Sequence, residues 1–500
     1  MISKYMMMAA LALVGTMTTG CSNEDLAKEA PQANNDNNTV TLTTTISLDG
    51  SASTRALDAQ GKKTFAVGDS VAIFYQNTSG ETQYADSKPL TASDITNNGK
   101  TAKFTVTLSN PKAEGQLRYI YPAAMANSDI APNEEINDEY TFSTERIQND
   151  QDGTLETLAN KFDLAIFDGN LTEKALLPTT ATLKNQLAIA ELTIKNYAGD
   201  DITNDIKALK INQSKINQGE TNELLYSYEL TRPDNAAGPI YVAMMPSSGS
   251  TKDSITVTAN TNDGTEYERD FKFNFAANNI YPLSVKTFKV VDISTLTVSE
   301  GHSLTYSASN GEMLKGKHPD SGFILIRIAD GATVTLKNLT IDKSAYSFTA
   351  PGLSCLGDAT IILEGKNKVK AFEDNSGIWV ATNNSNNDYT LTITGDGSLE
   401  AIGGAYGAGI GSGKASCGNI VISGGTVIAE GGQYAAGIGS GERRDCGTIT
   451  ITSGVTKVTA TKGENALHSI GKGSQSKCGT VTIGGTTGYI SESPYTYPSE

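Results

Sequence analysis

From about Val291 the chain repeats itself, and no other feature restricts its fold so strongly. Ala408 to Ile422 reads AGIGSGKASCGNIVI, Ala436 to Ile451 reads AGIGSGERRDCGTITI, and His468 to Ile483 reads HSIGKGSQSKCGTVTI. The cysteines of these copies, Cys417, Cys446 and Cys478, fall 29 and 32 residues apart. Weaker copies run upstream at Ala332–Ile341, Ala359–Leu363 and Tyr389–Ile393. Each unit is a glycine turn followed by a short alternating strand. One such unit cannot bury its apolar side alone, whereas stacked units can. The expectation is a parallel β-solenoid of about six coils over residues 291–500. The glycines suit tight corners, where positive φ is often required.

The preceding 250 residues behave differently. Thr39 to Ser47 (TVTLTTTIS) alternates and reads as a strand. Further strand-like runs recur between turn signals at Ser70–Tyr75, Ala102–Leu108, Leu117–Tyr121, Ile240–Met245, Ser254–Ala259, Tyr267–Phe275 and Tyr281–Val285. Leu183 to Lys195 is a longer alternating run. Short strands at this spacing indicate β-sandwiches. The expected fold class is therefore all-β: two tandem sandwiches over 39–182 and 183–290, followed by the solenoid.

The first residues carry an export signal. Lys4 precedes a short apolar run, Met6 to Val14 (MMMAALALV), and Thr18-Thr19-Gly20 leads into Cys21. The run is too short to span a bilayer, so residues 1–20 read as a signal peptide. Cys21 reads as the lipidated residue, at the end of a segment resembling a lipobox with Thr18 in place of the more usual leucine. Ser22 to Asp25 adds an acidic cluster resembling a surface-export signal, so the expected location is the outer face of the cell outer membrane. Residues 21–38 are polar and form a flexible tether. A net charge of −16 sets the chain against phosphate backbones and disfavours nucleic acid as a partner.

A family resemblance emerges from the sandwich region. Phe65, Gly68, Asp69, Val71, Ile73 and Phe74, followed by Tyr84, Phe104 and Tyr119 to Pro122 (YIYP), are similar to the first domain of fimbrillins. These are the donor-strand pilins of Bacteroidales. Leu187 to Ile194, Tyr241 to Pro246 (YVAMMP) and Phe275 to Tyr281 resemble the second domain. The resemblance covers roughly residues 40–290. It implies proteolytic processing between Arg55 and Ala56, loss of the first strand, and insertion of a strand from a neighbouring subunit. Backbone hydrogen bonds would provide that binding and pockets for alternate side chains its register. The expected partners are thus other fimbrial subunits, joined by strand addition. The family's stalk subunits end soon after the second domain, with a strand to donate. Here a solenoid stands in that place, which implies a tip or accessory position in the fimbria.

The solenoid carries the candidate binding residues. Sugars stack on exposed aromatic faces and hydrogen-bond to polar neighbours. Trp379 is the chain's single tryptophan, and Tyr406 and Tyr434 hold matching places before the glycine turns. These three are the candidate contacts to a surface ligand such as a glycan. The cysteine repeat reads as small residues packed inside the coils, with Cys355 in a similar place upstream. No metal or other cofactor is expected. Catalysis on polysaccharide would need two carboxylates at controlled separation. The acids Asp320, Asp330, Asp342, Asp358, Glu373, Asp374, Asp388 and Asp396 are scattered through turns, and His302, His318 and His468 lie far apart. The reading is a binding protein and not an enzyme.

Overall fold

The computed structural model describes residues 39–48, 64–162, 164–216, 223–247, 252–298, 303–318, 323–344, 350–383 and 389–498. Cys21, Arg55, Ala56, Asp320, Asp388 and His302 lie outside these residues. Among the described residues the fold is all-β, with three short α-helices.

The first eight-stranded sheet folds over into two layers. Its order is Thr82–Asp86, Ala72–Gln76, Gln116–Tyr121, Ala165–Asn170, Thr180–Asn185, Thr39–Leu48, Thr101–Ser109 and Ile95–Thr96. Only two residue pairs join Ala165–Asn170 to Thr180–Asn185, and there the sheet bends. Ile46, Phe104 and Val106 from one layer meet Ile73, Leu117 and Tyr119 from the other. The first strand lies inside this sheet. Thr39–Leu48 runs antiparallel to Thr101–Ser109 from Thr39↔Ser109 to Ser47↔Thr101. It also runs parallel to Thr180–Asn185, from Thr45↔Thr180 to Leu48↔Leu183. Its alternation is visible as burial: Leu42, Thr44, Ile46 and Leu48 face the core.

The three helices, Asp138–Thr141, Thr144–Asn149 and Leu155–Lys161, were not foreseen from the sequence. Their N-caps are Asn137, Ser143 and Thr154, each accepting from backbone N–H groups of the first turn. They tie the two sandwiches together. Gln151 donates to Ala243 O at 2.8 Å and accepts from Ala243 N at 2.7 Å, imitating a strand partner. Ile147 and Leu158 enter the same core as Leu192, Tyr228 and Val257.

The run Leu183 to Lys195 is not one strand. It splits into the end of Thr180–Asn185 and Ala188–Lys195, which belong to different sheets. Asn185 Oδ1 accepts from Leu187 N at the break. The second unit sets Ala188–Lys195 between Ile240–Met244 and Ile280–Lys286. This three-stranded sheet shares a core with Ile206–Lys215, Glu223–Thr231, Asp253–Thr261 and Glu266–Phe273.

The sheet passes from the second unit into the solenoid without interruption. Phe288–Asp292 pairs antiparallel with Glu266–Phe273 and parallel with Glu312–Lys317. Lys315 reaches Glu266 at 2.7 Å across this junction. Lys337, on the next coil, reaches both Glu268 and Asp270.

Beyond the junction the chain winds in parallel coils. One ladder holds seven strands: Ser303–Ala308, Phe323–Ile328, Leu353–Cys355, Ile378–Val380, Ile410–Gly411, Ile438–Gly439 and Ile470–Gly471. That is one more than the repeats suggest, because the first coils lack the glycine signature. Inside, like residues stack. Ile326, Leu353, Ile378, Ile410, Ile438 and Ile470 form one column. Ile361, Ile393, Ile422, Ile451 and Ile483 form another. β-branched side chains with a stiff χ1 suit such columns. Tyr495–Tyr497 turns back antiparallel on Lys457–Thr461 at the far end.

Gly411 and Gly439 hold positive φ values of 139° and 133°. A Cβ on Gly411 would sit 1.9 Å from Gly439 O, and one on Gly439 would sit 2.1 Å from Gly471 O. Backbone oxygens of the neighbouring coil cannot yield without separating the coils. Gly411→Ala is therefore expected to destabilise the solenoid by at least about 2 kcal/mol. Urea unfolding followed by Trp379 fluorescence, one coil away, measures it. An unchanged midpoint would contradict the close approach.

Candidate ligand-binding face of the solenoid

The outer side of the seven-stranded ladder carries a column that sequence reading had only partly identified. Arg327 pairs with Ser354, and Ser354 pairs with Trp379. In each strand these residues alternate with core positions, so they point outward (Ile326 and Ile328 flank Arg327, Ile378 and Val380 flank Trp379). Two large side chains thus stand two coil spacings apart, about 9–10 Å, with a small serine between them. The gap is a depression of about 490 Å³ lined also by Leu325, Pro351, Leu356 and Lys414. Trp379 is held by its indole: Nε1 donates to Ser416 O at 2.9 Å. The loop carrying Ser416 also supplies Gly413, Lys414 and Ala415 as one wall. Leu356 is 39 % exposed, an unusual apolar contribution to an outer face.

Tyr406 and Tyr434 lie elsewhere. Tyr406 N donates to Glu373 O and Tyr434 N to Ala405 O, so the two hold the same place in consecutive turns. Their rings stack on each other, centroids 5.2 Å apart and planes 6° apart. Each ring spends one face on the other, and neither lines the depression beside Trp379. The three aromatic candidates therefore form two separate features.

The described carboxylates are largely occupied by the coil turns. Asp330 Oδ1 accepts from Asp358 N at 2.9 Å, and Asp358 Oδ1 accepts from Thr390 N at 2.7 Å. Asp342 Oδ1 accepts from Ser344 N, and its carboxyl is held below the usual range: burial opposes this, but the Ser344 hydrogen bonds prevail. Glu373 adopts a left-handed turn conformation. Among the described histidines, His318 is buried and accepts from Ile324 N, while His468 packs on Tyr489 at the other end of the solenoid.

Cys417, Cys446 and Cys478 share one position in successive coils, bridging in parallel. Cys417 and Cys446 are buried, with sulfurs 3.0 Å apart. Cys355 lies in line with this column upstream, with Val380 between it and Cys417: Ala381 N donates to Cys355 O and Gly418 N to Val380 O, as Gly447 N does to Cys417 O. It pairs with Ile328 and Val380 in the seven-stranded ladder. Burial pushes its thiol up to about 12.

Arg327, Lys414 and Leu356 were missed because they fall in different coils and only the strand register unites them. The usable signal was Arg327 itself, a lone cation at an outward position of the apolar run FILIRI.

No protein-family model matches this chain, and no curated protein matches it either. Solved structures with partial likeness include a fimbrial assembly protein from Parabacteroides distasonis, at 11% identity and TM-score 0.28, covering 49% of this chain and 90% of that one. Another is a candidate cell adhesion protein from Bacteroides uniformis, at 14% identity and TM-score 0.27, covering 49% of this chain and 94% of that one. A third, a candidate polysaccharide-binding protein from Bacteroides thetaiotaomicron, has 14% identity and TM-score 0.26, covering 47% and 80%.

Proposed function

We propose that this protein is an adhesive surface subunit of a fimbria, exported as a lipoprotein through Cys21 and assembled by strand replacement. One observation carries the reading: the N-terminal strand Thr39–Leu48 lies inside its sheet, between Thr101–Ser109 and Thr180–Asn185. A cut between Arg55 and Ala56 would leave that strand attached by side-chain and sheet contacts only. Its departure would open two facing edges over an apolar slot, which a strand from another subunit can fill. The solenoid follows the second sandwich and is closed by Tyr495–Tyr497 on its own coil, which supports a tip or accessory place over a stalk place. Its outer face is then the binding end, with a surface glycan as ligand and binding rather than catalysis as its task.

The test uses the full chain and an arginine-specific protease. The expected result is a new N-terminus at Ala56, together with heat-resistant higher species when cleaved protein meets a stalk-type subunit. Cleaved protein that stays monomeric, or an uncut Arg55 in surface-extracted protein, overturns the assembly part. The Trp379 depression favours a second reading, a glycan-binding surface lipoprotein that never polymerises. In that case Thr39–Leu48 stays in place, and glycan binding is indifferent to the protease.

A further inference from the structure

The depression over Arg327, Ser354 and Trp379 has a charge pattern at odds with the molecule around it. The chain carries a net charge of −16, yet among the described residues no Asp or Glu lines this cavity, while Arg327 and Lys414 both do. Arg327 has no carboxylate in ion-pair range among the described residues. Behind the lining residue Pro351 lies a third cation, Lys343, fully buried. Its Nζ donates to Pro351 O at 2.7 Å and stands 5.2 Å from the centre of the Phe323 ring. Burial, and then the neighbouring Arg327, bring Lys343 down to about 7. Desolvating cations without a counter-charge is unfavourable, and an incoming anion relieves it. The cavity also has an unused hydrogen-bonding group. Ser376 lines it, is fully buried, and its Oγ has no partner among the described residues. The next two coils carry Ala408 and Ala436 at the matching place before the Gly-Ile pair, so the hydroxyl is not a requirement of the coil.

We propose that this cavity binds a carboxylated sugar residue of a glycan, the pyranose ring lying over Ser354 against Trp379 and the carboxylate facing Arg327 and Lys414. The slot is one sugar ring wide, and Trp379 supplies the flat apolar wall that sugar C–H groups prefer. Arg327 supplies a planar fork matched to a carboxylate. A neutral sugar would satisfy the tryptophan and leave the Arg327 guanidinium unanswered. This proposal rests on the glycan-binding part of the function given above and adds the chemical class of the ligand.

Trp379 is the only tryptophan, so its emission reports this site alone. The full chain is titrated with trigalacturonate and with sialyllactose, which separate a uronate source from a sialic acid source. Methyl-esterified trigalacturonate and lactose are the neutral counterparts. The expected result is a saturable emission change with at least one acidic glycan, absent with its neutral counterpart and diminished by added salt. Arg327→Gln should weaken binding about tenfold. Lys414→Gln, on the outer loop, should weaken it severalfold. Equal responses to acidic and neutral glycans overturn the proposal and leave the glycan-binding reading standing. No response to either acidic glycan, with a neutral one bound elsewhere on the chain, also overturns it. No glycan bound at all removes the binding reading as well.

Discussion

A protein beginning at Ala56 will be far less stable in its first sandwich than the longer chain, and a peptide of sequence TVTLTTTISL will restore it. The strand Thr39–Leu48 has sheet partners on both sides, nine residue pairs with Thr101–Ser109 and four with Thr180–Asn185. It also plugs the core with Leu42, Ile46 and Leu48. Burial of three such side chains is worth about 5–9 kcal/mol, an upper estimate before chain ordering is deducted. A whole domain has a net stability of about 5–15 kcal/mol, so the truncated sandwich should lie near its unfolding threshold. Thermal unfolding with and without the peptide measures the effect, and a peptide with Ile46→Asn should fail to rescue. If the truncated protein melts like the parent, the strand is dispensable and the slot is not a binding site. If the rescuing peptide acts regardless of sequence, register is not being read.

The fold class was legible because its signals are local. Alternation in TVTLTTTIS predicted a strand, and the glycine-cysteine repeat predicted stacked coils. What escaped needed contacts remote in sequence. Residues 138–161 form helices through polar caps at Asn137, Ser143 and Thr154, short-range features overshadowed by the strand pattern around them. The break at Gln186 within Leu183 to Lys195 is invisible to alternation, because both halves alternate and only their partners differ. At the candidate site Trp379 was recognisable by type. Its neighbours Arg327 and Ser354 lie 52 and 25 residues earlier and become neighbours only through strand register. Tyr406 and Tyr434 were rightly paired by their repeat position, which says nothing about which side of the coil they occupy relative to Trp379.

Lys337→Met will weaken the junction between second sandwich and solenoid by about 3–5 kcal/mol at neutral pH. Lys337 is 15 % exposed and meets three carboxylates from two structural units: Glu268 and Asp270 of the sandwich strand, and Glu364 of the neighbouring coil. Burial acts to lower its pKa, but Asp270 and Glu268 outweigh burial and raise it. Its stabilising effect is therefore complete below the ordinary lysine pKa and is lost only as pH rises through the raised value. Removing the cation leaves Asp270 and Glu364 without their ion pair, while Glu268 keeps Lys315 at 3.5 Å. Glu364 is already raised, first by burial and then by Asp270, with Lys337 as a restraint. An acid with a raised pKa in the folded state favours folding as pH falls and loses that contribution as pH rises through the folded value. Without Lys337 that rise should grow, so the variant's deficit should shrink between neutral pH and about pH 5. Glu364→Gln should by the same reasoning stabilise the parent slightly and recover part of the Lys337→Met loss. Melting curves of the three variants against pH decide it. A deficit independent of pH would mean that Lys337 acts through the packing of its methylenes, and that the charges at the junction are screened by water.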